Sequence, residues 1–137
     1  KKKAGFCEHA CQALGLTGVM VSSARAEEIG QLREHRERYD LALARAVAAM
    51  PTLVEYLLPL VRLGGRVVMQ KGSSAEEEAE ASRNAIRLFG GKLSQILPVS
   101  LPGVEDRRFL VILEKIKPTP DQFPRRVGVP AKSPIQN

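Results

Sequence analysis

The chain has 137 residues, of which 44% are hydrophobic and 26% charged, a length and composition that fit one globular domain with a single core. No apolar run is long enough to span a bilayer and no segment resembles a signal peptide, so we expect a cytosolic protein with no membrane partner. The 21 Lys and Arg exceed the 15 Asp and Glu by six, and this positive balance favours a polyanionic partner, nucleic acid first.

The two cysteines do not indicate a metal site. Cys7 and Cys11 lie on a predicted N-terminal helix with His9 between them, but no second Cys/His pair follows at the spacing of zinc ligands. We therefore expect no metal, and two reduced cysteines that pack as small apolar residues. The chain begins on a lysine already inside this helix, so we expect it to be the C-terminal part of a longer protein.

The first third of the chain predicts one helix and one short strand. Apolar or small residues recur at helical spacing over residues 1–14, and Gly15 follows as a helix stop. A strand is predicted at 19–23, and the charged stretch 25–38 favours a helical turn and a surface loop. Because Glu27 comes soon after this strand, we expect it near the carboxyl edge of the sheet.

The stretch 39–46 is predicted to contain a buried parallel strand. Its core, Leu-Ala-Leu-Ala at 41–44, shows no polar alternation, which is typical of a parallel strand covered on both faces. The run ends on Arg45, at the edge where open α/β sheets bind ligands. A surface arginine that only ends the strand is an equally good interpretation of this pattern.

A second strand is predicted to end in the same way. Pro51 opens a helix, Gly-Gly at 64–65 is expected to end it, and the apolar residues 67–69 form a strand that runs to Lys71. Two parallel strands joined by a crossover helix would bring Arg45 and Lys71 to one crevice.

A helix and a hairpin follow. Ser74 and Glu77 predict a capping box for a helix that runs to residue 89. The four glutamates at 76–80 are interpreted as a solvated helix start and not as catalytic groups. Alternating residues at 93–101 and the apolar run 109–113 predict two antiparallel strands.

The C-terminal segment differs from the rest in composition. From Lys117 onward it contains five prolines, together with Arg125, Arg126 and Lys132. Such a segment cannot pair in a sheet and has little to bury. We therefore divide the chain into a domain body at 1–116 and a basic, proline-rich arm at 117–137. The arm either binds RNA or packs along the domain, and packing is slightly favoured.

Several short motifs resemble one family. They are Ser-Ala-Arg-Ala-Glu-Glu at 23–28, Ala-Arg-Ala at 44–46, Gln-Lys-Gly at 70–72, Leu-Pro-Gly-Val-Glu-Asp-Arg-Arg at 101–108, Lys-Pro-Thr-Pro at 117–120 and Phe-Pro-Arg-Arg-Val-Gly-Val-Pro-Ala-Lys at 123–132. In this order they resemble the glucose-inhibited division protein B family, the small-subunit ribosomal RNA methyltransferase G enzymes. The resemblance implies an α/β, Rossmann-like class I methyltransferase sheet that ends in an antiparallel hairpin.

The resemblance also implies a reaction and a set of site residues. The family transfers a methyl group from S-adenosyl-L-methionine to N7 of a guanine in small-subunit ribosomal RNA. By position in the motifs, Ala26, Glu27 and Arg45 are expected to contact the cofactor. No catalytic acid or base is expected, because guanine N7 is an unprotonated lone pair and alignment of the reactants can suffice. The basic side chains expected to contact RNA are Lys71, Arg107, Arg108, Arg125 and Arg126.

The chain departs from the family pattern at its beginning. The first two strands, the Gly-rich loop and the acidic residue of the second strand have no counterpart here, so the shortened chain alone is expected to bind the cofactor weakly or not at all. One alternative is a non-catalytic, basic RNA- or ribosome-binding module derived from such an enzyme. Another is a nucleotide-dependent enzyme such as a dehydrogenase, which would need a G-x-G-x-x-G segment.

Overall fold

The structure is a computed structural model that describes residues 2–136. The helices are α1 (Lys2–Ala13), α2 (Ala26–Ile29), α3 (Met50–Leu57), α4 (Ala75–Ala81), α5 (Arg83–Leu88) and α6 (Val129–Lys132), and the strands are β1 (Tyr39–Arg45), β2 (Val61–Lys71), β3 (Gly91–Leu101) and β4 (Val104–Lys115). Within this part of the chain, no helix is long and apolar enough to cross a membrane.

The four strands form one mixed sheet in the order β1-β2-β4-β3. β1 and β2 are parallel and are connected through α3, while β4 runs antiparallel to both β2 and β3. The α/β class, the parallel pair with its crossover helix and the terminal antiparallel hairpin are therefore confirmed.

One face of the sheet carries the core. Every residue of α3 is buried, and Val67 and Met69 of β2 are fully buried within the same core cluster. The other face is open at β1, where Leu43 is 66% exposed. The expectation that β1 is covered on both faces is therefore wrong for the described residues, because α1 buries none of its side chains against the sheet.

The end of α3 differs from the prediction. The helix tightens into a 3-10 turn at Leu58–Leu60, where Pro59 lacks the N–H that would continue the α-helical pattern. The glycines at 64–65 do not stop this helix but lie inside β2. At Gly65 an added Cβ would stand 2.8 Å from the carbonyl oxygen of Asp40, so glycine allows β2 to approach β1 closely there.

The predicted helix from 75 to 89 is divided in two at Ser82. The Ser82 hydroxyl donates a hydrogen bond to the carbonyl oxygen of Glu78 at 2.6 Å, and such side-chain bonds compete with the helical backbone. The predicted capping box is also wrong, because the Ser74 hydroxyl bonds to the Glu78 carboxylate and not to Glu77. The apolar residues Ala75, Ala79, Ile86 and Phe89 on and after the two helices are buried.

The N-terminal segment forms the predicted helix but not the predicted strand. α1 covers most of the range expected for it, with Lys1 outside the described residues, and Phe6 on it is 72% exposed. Residues 19–23 have no regular secondary structure, so the strand prediction is wrong there. A strand needs a hydrogen-bonded neighbour, and the described sheet ends at β1. Cys7 is exposed, which contradicts the expectation that it packs as an apolar residue.

The arm packs on the domain through its backbone. The Arg36 guanidinium donates hydrogen bonds to the carbonyl oxygens of Gly30, Thr119, Pro120 and Phe123. The Phe123 ring is buried edge-on against Phe89, with the ring centroids 5.0 Å apart. The expectation that this segment has little to bury is therefore wrong at Phe123.

Candidate functional site

A cavity of about 730 Å³ opens where the carboxyl ends of β1 and β2 meet the β3–β4 hairpin. Its walls come from the end of β1 with the turn after it, from the end of β2, from α3 and from the hairpin: Arg45, Ala46, Ala48, Leu53, Gln70, Lys71, Gly72, Val99, Leu101, Val104, Arg108, Phe109 and Leu110. The volume lies in the range of small-molecule sites, and the lining combines an apolar surface with a few polar groups.

Arg45 and Lys71 both line this cavity, as the paired strand ends predicted. Their side chains leave the sheet on opposite faces. Arg45 pairs with Gln70 across the parallel ladder, and successive residues of a strand alternate between the two faces. Lys71 therefore lies on the face that the helices cover, and Arg45 lies on the face that carries Leu43.

Lys71 belongs to a compact polar cluster at the cavity. Its side chain is 10% exposed, and Nζ donates to the carbonyl oxygen of Ala48 at 2.9 Å and to Oε2 of Glu78 at 2.7 Å. The same Oε2 accepts the backbone N–H of Met50 at 2.8 Å. The interpretation of the glutamates at 76–80 as a solvated helix start is therefore wrong for Glu78.

The environment of Glu78 favours its ionised form. Burial alone would raise the pKa of this carboxyl group, but hydrogen bonds from Lys71, from the backbone of Met50 and from Ser74 outweigh burial. The pKa of Glu78 is lowered as a result. The Glu78 carboxylate thus forms an ion pair with Lys71, which lines the cavity.

Glu27 and Ala26 are not brought into this cavity with Arg45. The Glu27 side chain is buried, and its Oε1 accepts the backbone N–H of Gly128 in the arm at 3.0 Å. Burial raises the pKa of Tyr56, and the neighbouring Glu27 carboxylate raises it further. Ala26 packs against the core. The cofactor contacts expected of these two residues stay predictions.

The remaining arginines predicted to contact RNA lie in different settings. Arg108 lines the cavity and forms an exposed ion pair with Asp106 at 3.0 Å, whereas Arg107 beside it is exposed. Arg126 is exposed on the arm. Arg125 is turned inward and forms a two-pronged contact with the Glu55 carboxylate, with the closest atoms 2.7 Å apart.

Two buried charges were missed in the sequence. Glu55 stands among the apolar residues of α3, and Lys115 is the last residue of β4, after Glu114. A lone charge in an apolar helix is the signal that could have identified Glu55, because buried charges need partners. Lys115 stands between the charged residues Glu114 and Lys117 and carries no such signal. In residues 2–136, no group of three His, Cys, Asp or Glu side chains is placed to hold a metal ion.

Sequence comparison decides the family. A family model described as "GidB: rRNA small subunit methyltransferase G" matches residues 1–108. The chain belongs to the GidB family. The resemblance predicted from the motifs is thereby confirmed.

Relatives in the GidB family match nearly the whole chain. The chain is 50% identical over 134 residues to the Ribosomal RNA small subunit methyltransferase G of Roseiflexus castenholzii, covering 98% of this chain and 57% of the relative. The protein of the same name from Rubrobacter xylanophilus is 50% identical over 138 residues, covering 98% of this chain and 53% of the relative. The chain thus spans about half the length of the curated relatives it matches.

Solved structures are similar in fold. An rRNA methylase from Streptococcus thermophilus superimposes with a TM-score of 0.56 at 19% identity, covering 85% of this chain and 69% of that chain. The α/β architecture of this GidB chain is therefore that of a Rossmann-like methyltransferase.

Proposed function

We propose that this chain forms part of an S-adenosyl-L-methionine-dependent methyltransferase that modifies N7 of a guanine in small-subunit ribosomal RNA. The observation that carries the proposal is the position of Arg45. It lies within the residues that match the GidB family model, and it lines a ligand-sized cavity at the carboxyl edge of a parallel strand pair.

The cavity fits a cofactor of this kind in size and chemistry. About 730 Å³ accommodates a nucleoside-sized ligand, and Arg45, Gln70 and Lys71 bring polar groups to an otherwise apolar lining. Arg45 would hold the cofactor in the cavity, and Ala26 and Glu27, which lie outside the cavity lining, are proposed as further contacts from α2. When bound, the cofactor supplies a methyl group that its sulfonium already activates.

The residues of the chain then have a positioning task. Guanine N7 needs no general base, so the cavity walls contribute by holding donor and acceptor in line and by excluding water. The hairpin residues Val99, Leu101 and Val104 supply an apolar wall on the side opposite Arg45 and its turn. Such a wall suits the face of a purine base.

Replacing Arg45 with alanine in the full-length gene product tests the cofactor assignment. We expect affinity for S-adenosyl-L-methionine to fall about tenfold to hundredfold, because a hydrogen bond to a charged group contributes about 1.5–3 kcal/mol. Isothermal titration calorimetry measures this directly. Arg62→Ala is the matched control, since Arg62 forms an exposed pair with Asp40 near the other end of β2. An Arg45→Ala affinity within twofold of the wild type would contradict the assignment.

The methylated atom needs its own experiment. The purified full-length protein should transfer a labelled methyl group to small-subunit ribosomal RNA, and nuclease digestion of the product should release 7-methylguanosine, identified by chromatography and mass spectrometry against a standard. Transfer to another atom of the base would overturn the N7 assignment and leave the cofactor assignment standing.

RNA contact is proposed for the basic side chains at the cavity mouth and on the arm. We expect single alanine variants to flatten the slope of log affinity against log salt concentration by roughly 0.7 on single-stranded RNA, since each phosphate contact releases counterions. The variants are Arg107→Ala, Arg108→Ala and Arg126→Ala. Fluorescence anisotropy at several salt concentrations measures the slope. Arg87→Ala on α5 is the control, because Arg87 does not line the cavity. Unchanged slopes in all three variants would place the RNA elsewhere.

A protein with only these 137 residues is proposed to bind the cofactor weakly. Residues 2–136 contain no Gly-rich loop that could offer backbone N–H groups to the methionine end of the ligand, and open α/β sheets use such loops for this purpose.

A further inference from the structure

The turn between β1 and α3, residues 46–49, forms part of the cavity wall. Ala46 and Ala48 line the cavity directly. Ala46 has φ +53°, a left-handed conformation that a residue with a Cβ adopts at a cost. Ala49, at the N-cap of α3, has no side chain that could accept the first N–H groups of the helix. The turn must therefore be held by groups from other elements.

Lys71 and Glu78 supply those groups from β2 and α4. Lys71 Nζ donates to the carbonyl oxygen of Ala48 at 2.9 Å, in the middle of the turn. Glu78 Oε2 accepts the N–H of Met50 at 2.8 Å and so satisfies the start of α3 in place of a local cap. The two side chains bond to each other at 2.7 Å, and the Ser74 hydroxyl holds the second oxygen of Glu78 at 2.9 Å.

This arrangement leaves Lys71 poorly placed for a phosphate. Of the three N–H donors of Lys71, one is used by the carbonyl oxygen of Ala48 and one by the Glu78 carboxylate. The Lys71 side chain is also only 10% exposed. A phosphate contact would require Lys71 to leave both partners. It would also leave the Glu78 carboxylate without its cation.

We propose that Lys71 and Glu78 are positioning residues that hold the 46–49 turn as a wall of the cofactor cavity. This inference rests on the proposed function, since the cavity is taken to be the cofactor site. Lys71 thus acts through the backbone of the turn and not by contact with RNA.

Kinetics of the full-length gene product separate positioning from RNA contact. Lys71→Met and Glu78→Gln should each raise the KM for S-adenosyl-L-methionine by roughly tenfold, because each removes a charged hydrogen bond from the turn. The kcat at saturating cofactor should stay within about twofold. The double variant should be no worse than the poorer single variant, since both changes release the same turn. Lys71→Arg should recover part of the affinity.

The salt dependence of RNA binding provides the opposing test. A positioning role leaves the slope of log affinity against log salt unchanged in Lys71→Met, whereas loss of a phosphate contact would flatten it by roughly 0.7. The matched control is Glu76→Gln, an exposed glutamate of the same helix, which should leave both KM and slope unchanged. A flattened slope with an unaltered KM would overturn the inference.

Hydrogen exchange keeps this inference separable from the proposed function. Amides in the turn and the first turn of α3 should exchange faster in Lys71→Met and in Glu78→Gln than in the wild type, even without ligand. If the wild-type protein does not bind S-adenosyl-L-methionine, the proposed function fails while the exchange rates still decide whether the pair holds the turn. Unchanged exchange in both variants would overturn the inference even if the cofactor binds.

Discussion

Replacing Lys115 with methionine is expected to lower the free energy of unfolding by about 2–5 kcal/mol. The Lys115 side chain is 0% exposed, and Nζ donates to the carbonyl oxygens of Leu58 at 2.8 Å and Phe89 at 3.1 Å. It also bonds to the Thr119 hydroxyl and pairs with Glu37 at 3.0 Å. Methionine keeps the volume but removes these four contacts. The carbonyl groups of Leu58 and Phe89 keep the Val61 N–H and the Thr119 hydroxyl as donors, so the cost is that of lost hydrogen bonds, about 0.5–1.5 kcal/mol each.

The charge of Lys115 is not the main source of this stability. Burial lowers the pKa of Lys115, and the Glu37 carboxylate only opposes that effect. The loss therefore comes from the unmade hydrogen bonds that join the residues directly after α3 and α5 to the start of the arm. Urea unfolding followed by circular dichroism measures it.

An exposed lysine on the same sheet provides the control for this prediction. Lys92→Met on β3 should change the free energy of unfolding by less than about 0.5 kcal/mol, because surface substitutions have small effects. If Lys115→Met cost no more than Lys92→Met, the arm and the helix ends would not depend on the buried ammonium group.

Replacing Arg125 with methionine is expected to cost about 3–5 kcal/mol, the usual penalty for leaving one partner of a buried ion pair alone. The Glu55 side chain is 1% exposed, and its two oxygens receive three side-chain hydrogen bonds from Arg125 at 2.7–3.2 Å. Among the described residues, the backbone N–H of residue 125 would remain as a donor to Glu55, at 2.8 Å. The pKa of Arg125 is raised by these bonds to Glu55, so the guanidinium stays charged.

The double variant decides whether the unpaired carboxylate causes this loss. Arg125→Met combined with Glu55→Met should be more stable than Arg125→Met alone, because an apolar pair of similar volume often replaces a buried ion pair at little cost. A double variant less stable than the single variant would mean that packing of the arm, and not the buried charge, is responsible. Hydrogen exchange across 117–136 would show whether the arm detaches.

The parallel strand pair and its ligand-binding edge could be predicted from the sequence. Runs of apolar residues indicated β1 and β2, and Pro51 indicated the start of α3 between them. These signals are local, since they depend on residue spacing within one element. The meeting of Arg45 and Lys71 at one cavity then follows from the handedness and direction of a crossover connection.

The strand predicted at 19–23 shows where local signals fail. Its residues have strand propensity, but a strand forms only when a neighbour completes its backbone hydrogen bonds, and the described sheet ends at β1. The burial predicted for Leu43 fails for a similar reason, since it too depends on other elements of the fold. An apolar run shows that a strand can be covered on both faces but not which elements cover it.

The sequence by itself determined the α/β class, the order of the elements from β1 to the hairpin, the family and the cationic strand ends. Only the tertiary structure decided which charges are paired. Lys71 and Glu78 lie on different elements, and Glu55 and Arg125 are 70 residues apart. A buried charge needs a partner because desolvation is costly. The sequence contains many residues of opposite charge and does not indicate which of them is the partner. The fold alone selects the partner, since only a few groups come within hydrogen-bonding distance.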